Sequence, residues 1–485
     1  MNDLTLRLKS GVSLVVPASL GSITTYVLLE QEEWFEKESA LLLRWLRPGM
    51  TVIDIGANLG VYSLPLARSV GPHGMVFAYE PASEPRSLLE RSRRTNRADN
   101  LRVIAAAVSD RPRDGRLVLG ASSELNSLEG AGPAEEIRIT SLDAEDGSRG
   151  WSSIDFVKID AEGEEERILD GGKSFFERHS PLVMFEVKAG TAINEMLRST
   201  FSRRGYDVYR LIPGGPALVR DDPTQPMDGY ELNLFAAKPD RAAALAAESL
   251  LVDHIPEWKP DAGARERGLD VYGAQQFAPA FVPLFAGGQI DADYRDALAA
   301  FGVWRSPEIS LAERCGALAF ASQTMFGLCR NASTLARLSS LARATWEAGY
   351  RSTCVAALRS FAQLVGRGEM ALAEPFWPAC PRFDNLVPGT KRAEWLLVSA
   401  FEQLERAATY SSQFGTPEFD LDWLCAQPFA SAEMERRRLL RRVRAGERME
   451  IPPRLCVAAD DHVNAHLWSA GLVPGTWVRN AADVG

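Results

Sequence analysis

The chain has 485 residues, 46% of them hydrophobic and 24% charged, with a formal net charge of −10. This length predicts about two or three domains, each large enough for its own core. The negative charge argues against nucleic acid or an anionic membrane as the partner of the whole chain. No apolar run approaches the roughly 20 residues that cross a bilayer. Six scattered cysteines without a C-x-x-C pair indicate reduced thiols, so we expect a cytoplasmic protein.

The predicted elements begin with one strand in an N-terminal segment, residues 1–33, where polar and apolar side chains alternate. From about residue 50 to 240, strand-like runs alternate with helical stretches. The first five strand runs are TVIDI, MVFAYE, LRVIAAA, IDFVKID and LVMFEVK. This alternation predicts a doubly wound parallel sheet of the α/β class. Two later runs, YDVYRLI and ELNLFAAK, flank a turn-rich stretch and predict a hairpin that closes one edge of the sheet.

The turn after the first strand run, VIDIGANLG, is the first candidate site. A dinucleotide fingerprint needs G-x-G-x-x-G, but Asn58 and Val61 stand at its second and third glycine positions. Asp54 ends the strand, where its carboxylate would repel a pyrophosphate and would suit the ammonium and sulfonium charges of S-adenosylmethionine. Gly56 and Gly60 still allow a tight turn with close backbone approach. The pattern favours S-adenosylmethionine over NAD, with a purely structural glycine turn as the alternative.

The next two strand runs add candidate contacts to the same ligand. Glu80 ends the second run about twenty residues after Gly60, and a carboxylate there can accept both ribose hydroxyls. The alternative is a solvated glutamate before the turn-forming Pro81. The third run leads into Val108 and Ser109, where either the adenine edge is read or a turn opens. The predicted donor pocket comprises Asp54, Gly56, Ala57, Asn58, Gly60, Glu80, Pro81, Val108 and Ser109.

The fourth strand run, IDFVKIDAEGEEE, carries the candidate catalytic residues. Alternation places Lys158 and Asp160 on one side of a buried strand, where a lysine is costly unless it is paired. We predict that Asp160 or Glu162 orients or deprotonates an acceptor hydroxyl and that Lys158 keeps a carboxylate ionised. A structural ion pair is one alternative. The prediction includes no metal, but an Mg²⁺ ion held by these acids, with Glu186 as a third ligand, is a further alternative. Glu186 could equally be the next wall of the acceptor pocket.

With these residues in hand, the chain resembles the FkbM family of methyltransferases over about residues 34–239. The motifs that carry the resemblance are RPGMTVIDIGANLGVYSLPLA, FAYEP, AAVSD, ITSLD, IDFVKIDAEGEEERILDGG and PLVMFEV, with mild departures at Ala161 and Glu164. The resemblance implies a class I methyltransferase fold over residues 34–240, with a Rossmann-like sheet of seven strands, the last antiparallel. It also implies O-methylation of hydroxyls on sugars or natural products. A segment before ITSLD that lies near the family's active site holds Ser122, Ser123, Asn126 and Ser127.

Residues 241–485 have helical periodicity and predict an independent, mostly helical domain of unknown role. Eight of the eleven tryptophans lie after residue 240, as core residues or as platforms for sugar rings. The helix SAEMERRRLLRRVRAG has six arginines, which either hold a phosphorylated acceptor or pair with acidic neighbours. His462 and His466 have the i, i+4 spacing of two metal ligands on one helical face, without a third partner nearby in the sequence.

The sequence therefore predicts a cytoplasmic O-methyltransferase that uses S-adenosylmethionine and acts on a small-molecule or glycan acceptor. Phosphorylated and carrier-linked acceptors are left open, and the helical domain would recruit or shape the acceptor. The alternative is a methyltransferase-like scaffold without turnover, against which the intact Asp54, Glu80 and Asp160 argue. An NAD-dependent oxidoreductase is disfavoured by Asn58.

Overall fold

The computed structural model describes residues 3–120, 123, 126–128, 132–189, 192–281 and 290–478. The strands are, in chain order, β1 (Asp3–Arg7), β2 (Ser13–Pro17), β3 (Thr51–Ile55), β4 (Met75–Tyr79), β5 (Leu101–Ile104), β6 (Ala107–Val108), β7 (Arg113–Val118), β8 (Ala134–Thr140), β9 (Phe156–Ile159), β10 (Leu182–Glu186), β11 (Lys188–Ala189), β12 (Ala192–Ile193), β13 (Asp207–Ile212), β14 (Ala217–Arg220), β15 (Asn233–Ala237), β16 (Leu251–Val252), β17 (Met449–Glu450) and β18 (Thr476–Trp477).

The helices are α1 (Ile23–Gln31), α2 (Glu38–Trp45), α3 (Ser63–Val70), α4 (Ser83–Thr95), α5 (Leu142–Arg149), α6 (Glu165–Asp170), α7 (Lys173–His179), α8 (Met196–Ser202), α9 (Pro239–Ala247), α10 (Ala262–Gly273), α11 (Ala278–Phe281), α12 (Ala292–Trp304), α13 (Leu311–Asn331), α14 (Leu335–Glu347), α15 (Arg351–Gly366), α16 (Arg392–Ala408), α17 (Leu421–Cys425), α18 (Ala432–Arg444) and α19 (Ala465–Ser469). Short 3₁₀ helices span Pro381–Asn385 and Pro453–Cys456.

Nine strands form the central sheet in the order β5-β4-β3-β9-β10-β15-β13-β14-β16. Its first five strands are parallel, and β15 runs antiparallel between β10 and β13. This is the predicted doubly wound sheet of a class I methyltransferase, including its antiparallel strand. The predicted seven strands are extended at one edge by β14 and β16.

Two of the strand predictions were wrong in detail. The predicted single N-terminal strand is a hairpin, β1–β2, because Gly11, with φ of 86°, turns the chain between its halves. The predicted hairpin between YDVYRLI and ELNLFAAK is also different. β13 pairs with β14, which lies inside the stretch predicted as turns, and β15 pairs with β13 on its other side. Leu218 and Val219 are fully buried, so even this short strand contributes to the cores.

Alternate residues of the central strands enter two cores on opposite faces of the sheet. Val52 and Phe156 belong to the core covered by α2, α3 and α4, whereas Ile53 and Val157 belong to the core covered by α6, α7 and α8. Because both faces are covered by helices, the strands are apolar on both sides. Asp54 and Lys158 are buried polar residues near the carboxyl ends of β3 and β9, where the candidate site lies.

The chain after β16 is mostly helical and has a core of its own. Trp304, Trp377 and Trp395 are buried in it, which favours a core role for these rings over sugar platforms. The domain boundary predicted near residue 240 stays a prediction, since β16 continues the sheet beyond it and α18 packs on α1. Within the described residues, every helix is too short or too polar to cross a bilayer.

Candidate active site

A cavity of about 610 Å³ opens at the carboxyl ends of β3, β4, β9 and β10. Ligands of open α/β sheets bind at this edge. The turn after β3 and the loop after β9 lie side by side along the cavity. Part of the remaining wall comes from segments outside the sheet, which include residues 34–36 before α2 and, at the end of α16 and beyond it, Ala408, Thr409, Tyr410 and Phe414. The cavity is thus built by the sheet domain and the helical region together.

The turn after β3 brings the backbone very close to the loop after β9. A Cβ atom on Gly56, whose φ is 77°, would lie 1.8 Å from the carbonyl oxygen of Asp160. The backbone N–H groups of Gly56 and Ala57 both donate to the carbonyl of Tyr79, at 3.1 Å. Gly60 also has a positive φ, of 89°, and supports the turn without lining the cavity. The glycines therefore fix a tight turn between three strand ends.

Asp54 lies at the floor of this turn and is fully buried. One carboxylate oxygen accepts a hydrogen bond of 2.5 Å from the hydroxyl of Ser63. The other oxygen lies 3.9 Å from Nζ of Lys158 and accepts no hydrogen bond from the described residues. Burial raises the pKa of Asp54, and the Lys158 ammonium opposes this rise. Asp54 therefore ties the turn to α3 and still has one oxygen that accepts no hydrogen bond from the described residues.

Glu80 lies on the same side of the cavity and is held rigidly. Its two carboxylate oxygens accept one backbone hydrogen bond each, from Asn58 and from Ala82, both of 2.8 Å. Burial raises its pKa to about 7. The adjacent Pro81 lines the cavity as well. Each oxygen keeps a second lone pair, as the predicted contact with two ribose hydroxyls requires.

Val108 and Ser109, the two residues predicted to contact the adenine, differ in whether they line the cavity. Val108 is buried and lines the cavity, as predicted for the adenine side. Ser109 does not line it, because its hydroxyl donates a hydrogen bond of 2.5 Å to Glu164. Since Glu164 itself lines the cavity, Ser109 fixes a wall residue instead of reaching the ligand space.

Lys158 is the positively charged residue between Asp54 and Asp160. Its Nζ donates a hydrogen bond of 2.7 Å to Asp160 and lies 5.3 Å from the ring centroid of Tyr62. Burial alone would lower the pKa of Lys158, but the carboxylates of Asp160, Asp54 and Glu36 raise it above the usual value. The lysine is therefore charged and connects the donor end to the predicted catalytic carboxylates.

Asp160 and Glu162 meet Glu186, at the end of β10, in a cluster of three carboxylates. One oxygen of each lies within 4.8 Å of the other two. Burial, together with the charges of Asp160 and Glu162, raises the pKa of Glu186 to about 11. The structure thus assembles the three acids that the sequence considered as a cation site, and the same three acids line the cavity as an acceptor wall would.

Sequence reasoning missed the residues that reach the cavity from outside the sheet. Glu36 accepts hydrogen bonds from the Tyr62 hydroxyl (2.6 Å), the Trp34 indole (3.0 Å) and the Asn233 amide (3.1 Å). Beside it, three aromatic rings form a wall that spans the sheet domain and the helical region: Phe35, Tyr410 and Phe414. No strand-end pattern points to these residues, because they enter the site through long-range packing.

The polar loop of the family resemblance is partly at the site. Ser123 and Asn126 line the cavity, and Ser127 forms a bridge with the backbone of Val118. Ser122 lies outside the described residues.

The other candidate sites of the sequence are structural. Arg436 and Arg437 of α18 are buried and lie 3.5 Å from Glu32 and 3.1 Å from Glu30, so pairing with acidic neighbours is the interpretation that holds. His462 is buried against Arg436 and lies outside any helix, whereas His466 is exposed on α19. These histidines therefore do not share a helical face.

Comparison with known proteins gives a family model that matches part of the chain. Residues 54–208 match the family model described as methyltransferase FkbM domain. Among solved structures, an FkbM methyltransferase from Methylobacillus flagellatus is 15% identical with a TM-score of 0.27, over 44% of this chain and 58% of that chain.

Two further solved structures resemble the same part of the chain. A SAM-dependent methyltransferase from Aquifex aeolicus is 15% identical with a TM-score of 0.25, over 43% of this chain and 91% of that chain. A SAM-dependent O-methyltransferase from Thermotoga maritima is 18% identical with a TM-score of 0.23, over 42% and 64%. No curated protein matches the chain.

Proposed function

We propose that the protein transfers a methyl group from S-adenosylmethionine to a hydroxyl group of a sugar, glycan or other natural product, on the premise that residues 54–208 match the family model described as methyltransferase FkbM domain. One observation carries the proposal. The donor-type residues Asp54 and Glu80 and the carboxylates of Asp160 and Glu162 line a single cavity. A methyl donor and a hydroxyl acceptor could therefore meet without leaving it.

The donor would lie along the turn after β3. The Asp54 oxygen that accepts no hydrogen bond from the described residues suits the amino group of S-adenosylmethionine, and Glu80 suits the ribose hydroxyls. Pro81 and Val108 would border the nucleoside. Because Gly56 lets the turn after β3 pack closely against the backbone of Asp160, a donor in this turn would also lie close to the loop that starts at Asp160.

The transfer itself is an in-line displacement. The acceptor oxygen forms a bond to the methyl carbon as the carbon–sulfur bond breaks, and that electron pair stays on sulfur, giving S-adenosylhomocysteine. The acceptor proton passes to a carboxylate, Asp160 or Glu162. Lys158 positions Asp160 through its 2.7 Å hydrogen bond. Most of the acceleration would come from this positioning, with a smaller share from the base.

The helical region would shape the acceptor end. Ala408, Thr409, Tyr410 and Phe414 line the same cavity as the predicted catalytic residues, although they follow α16 far along the chain. We therefore assign acceptor recognition to both parts of the chain.

The absence of disulfides among the six cysteines supports the proposed cytoplasmic location.

The first experiment is calorimetric titration of the full chain with S-adenosylmethionine. Wild type should bind, and Asp54→Asn should bind about tenfold more weakly because a charge-assisted contact is lost. Glu177→Gln, an exposed change on α7, is the charge-matched control and should bind like wild type. A wild type that does not bind the donor would refute the proposal. Binding without methylation of any hydroxyl acceptor would favour the scaffold alternative.

A chelator experiment addresses the three clustered acids. Methyl transfer should continue in EDTA, because Lys158 already neutralises part of their charge. A loss of transfer that Mg²⁺ restores would instead assign Asp160, Glu162 and Glu186 to a metal site.

A further inference from the structure

The acceptor end of the cavity has more acidic than basic side chains. Among the described residues that line it there are four carboxylates and two ammonium groups: Glu36, Asp160, Glu162 and Glu186, against Lys158 and Lys188. Lys158 is already held between Asp160 and Asp54. A cationic group of a ligand would therefore meet more acidic than basic neighbours there.

Glu36 is the carboxylate whose position is best fixed. Three donors from three segments hold it: the indole of Trp34, the hydroxyl of Tyr62 and the amide of Asn233. Such a carboxylate does not need the ligand to order it. Burial, together with the charge of the neighbouring Asp160, raises the pKa of Glu36 and of Glu186. A cation placed among them would relieve the repulsion and restore their ionised forms.

The aromatic wall beside these acids suits the same kind of ligand. The ring centroids of Phe35 and Tyr410 are 5.3 Å apart, and Phe414 lies 6.1 Å from Phe35 and 6.5 Å from Tyr410. Nζ of Lys188 lies 5.6 Å from the Tyr410 centroid, so one of these rings already faces an ammonium group. Phe414 is 47% exposed and lines the cavity, so its ring is accessible to a ligand.

We propose, resting on the proposed function, that the acceptor is a polyhydroxylated molecule with a protonated amine near the methylated hydroxyl, as in an amino sugar. The ammonium lies among Glu36, Glu162 and Glu186, and a ring or carbon face lies against Phe35, Tyr410 and Phe414. Phosphorylated acceptors are excluded by the same carboxylates, because a second anion would add to their repulsion.

The test is a titration of three probes of the same ring count into the protein saturated with S-adenosylhomocysteine. The probes are kanamycin, its fully N-acetylated form and maltotriose. Kanamycin should bind at least about tenfold more tightly than the other two, and added salt should weaken it. Equal affinity for kanamycin and its N-acetylated form would overturn the inference. So would tighter binding of glucose 6-phosphate than of glucosamine, or binding of maltotriose that depends on Mg²⁺.

Variants separate the site from the general attraction of a cation to an acidic chain. Glu36→Gln and Glu177→Gln remove one charge each, but only the first lies in the cavity. Glu36→Gln should weaken kanamycin about fivefold and leave donor affinity unchanged, whereas Glu177→Gln should change neither. Phe414→Ala, at an exposed position, should weaken kanamycin about threefold and tests the aromatic wall independently. If both cavity variants bind kanamycin like wild type, the inference is wrong.

The donor titration distinguishes the two proposals. Failure of S-adenosylmethionine to bind wild type removes the proposed function. Normal donor binding, combined with methylation of neutral or anionic acceptors in preference to aminated ones, removes only the inference about the amine.

Discussion

Glu32 and Glu36 are four residues apart, yet their surroundings differ in charge. Glu32 lies close to Arg436 and His462, whereas Glu36 shares its cavity with Asp160, Glu162 and Glu186. Glu32, after α1, is fully buried and accepts backbone hydrogen bonds from Val463 (2.8 Å) and Asn464 (2.9 Å), close to Arg436 and His462. Burial alone would raise the pKa of Glu32, but the hydrogen bond of His462 and the charge of Arg436 lower it to about 2.

Glu36 is hydrogen-bonded too, but its donors are neutral. Burial raises its pKa, and only Lys158, which three carboxylates share, opposes the rise by its charge. The comparison shows how buried charge divides between structure and function. Where arginines match the acids, the cluster joins the two ends of the chain; where acids outnumber cations, the site has room for a ligand's charge.

The largest expected effect concerns the cluster of Glu32, Arg436 and His462. Glu32→Ala leaves two backbone N–H groups without their acceptor and the buried Arg436 guanidinium without its nearby counter-charge. We expect the free energy of unfolding to fall by about 3–5 kcal/mol at pH 7. Since the pKa of Glu32 is lowered on folding, its contribution is complete above the unfolded value of 4.5 and is lost as the pH falls toward 2.

The measurement is urea denaturation of the full chain at pH 7, followed by circular dichroism. Glu33→Ala is the control, because its carboxylate is 45% exposed and pairs only with Lys37 at 3.7 Å. Its effect should stay below about 0.5 kcal/mol. If the two variants are equally stable, the arginines of α18 do not offset the buried charge of Glu32.

The second effect concerns catalysis at the cluster of Asp160, Glu162 and Glu186. Asp160→Asn keeps the shape of the side chain and removes its charge, so methyl transfer should slow about 100-fold while donor affinity changes little. Single-turnover transfer of labelled methyl to an accepted hydroxyl substrate measures the rate. Glu177→Gln is again the control. Full activity in Asp160→Asn would remove Asp160 from both base and positioning roles.

The third effect is a pH dependence at the donor end. Burial raises the pKa of Glu80 to about 7, and only the ionised carboxylate can accept both ribose hydroxyls. The affinity for 5′-methylthioadenosine, which lacks the titrating amino group of the donor, should therefore rise about tenfold from pH 6 to pH 8. Glu80→Gln should abolish this dependence. A wild type with flat affinity across this range would place the ribose elsewhere.

The sheet and the donor turn were predictable because their signals are local. Apolar runs separated by helices predict parallel strands, and the carboxyl ends of such strands share one edge, so Asp54, Glu80 and Asp160 had to lie near one another. Even there, the final contact was not fixed, since Ser109 turned toward Glu164.

The rest of the site was not predictable from patterns along the chain. Glu36 and Tyr410 are 374 positions apart and meet across a cavity whose wall depends on how α16 packs. Likewise, the arginines of α18 could be read as a phosphate site until their partners on α1 were in place. Pairing of charges over such separations leaves no periodic trace in the sequence.

The smallest effect completes the comparison of the two glutamates. Glu36→Gln removes a carboxylate whose pKa is raised on folding, so its ionised form works against folding above pH 4.5. The Tyr62 hydroxyl and the Asn233 amide can still donate to the glutamine oxygen, so few hydrogen bonds are lost. We expect the free energy of unfolding at pH 8 to change by less than about 0.5 kcal/mol or to rise, in contrast to the loss for Glu32→Ala. Urea denaturation at pH 8 and pH 5 measures both variants, and any gain should shrink at the lower pH, where less of the Glu36 carboxyl is ionised in the folded state. A loss as large as that of Glu32→Ala would make Glu36 a structural residue, because a carboxylate kept for a ligand does not have to support the fold.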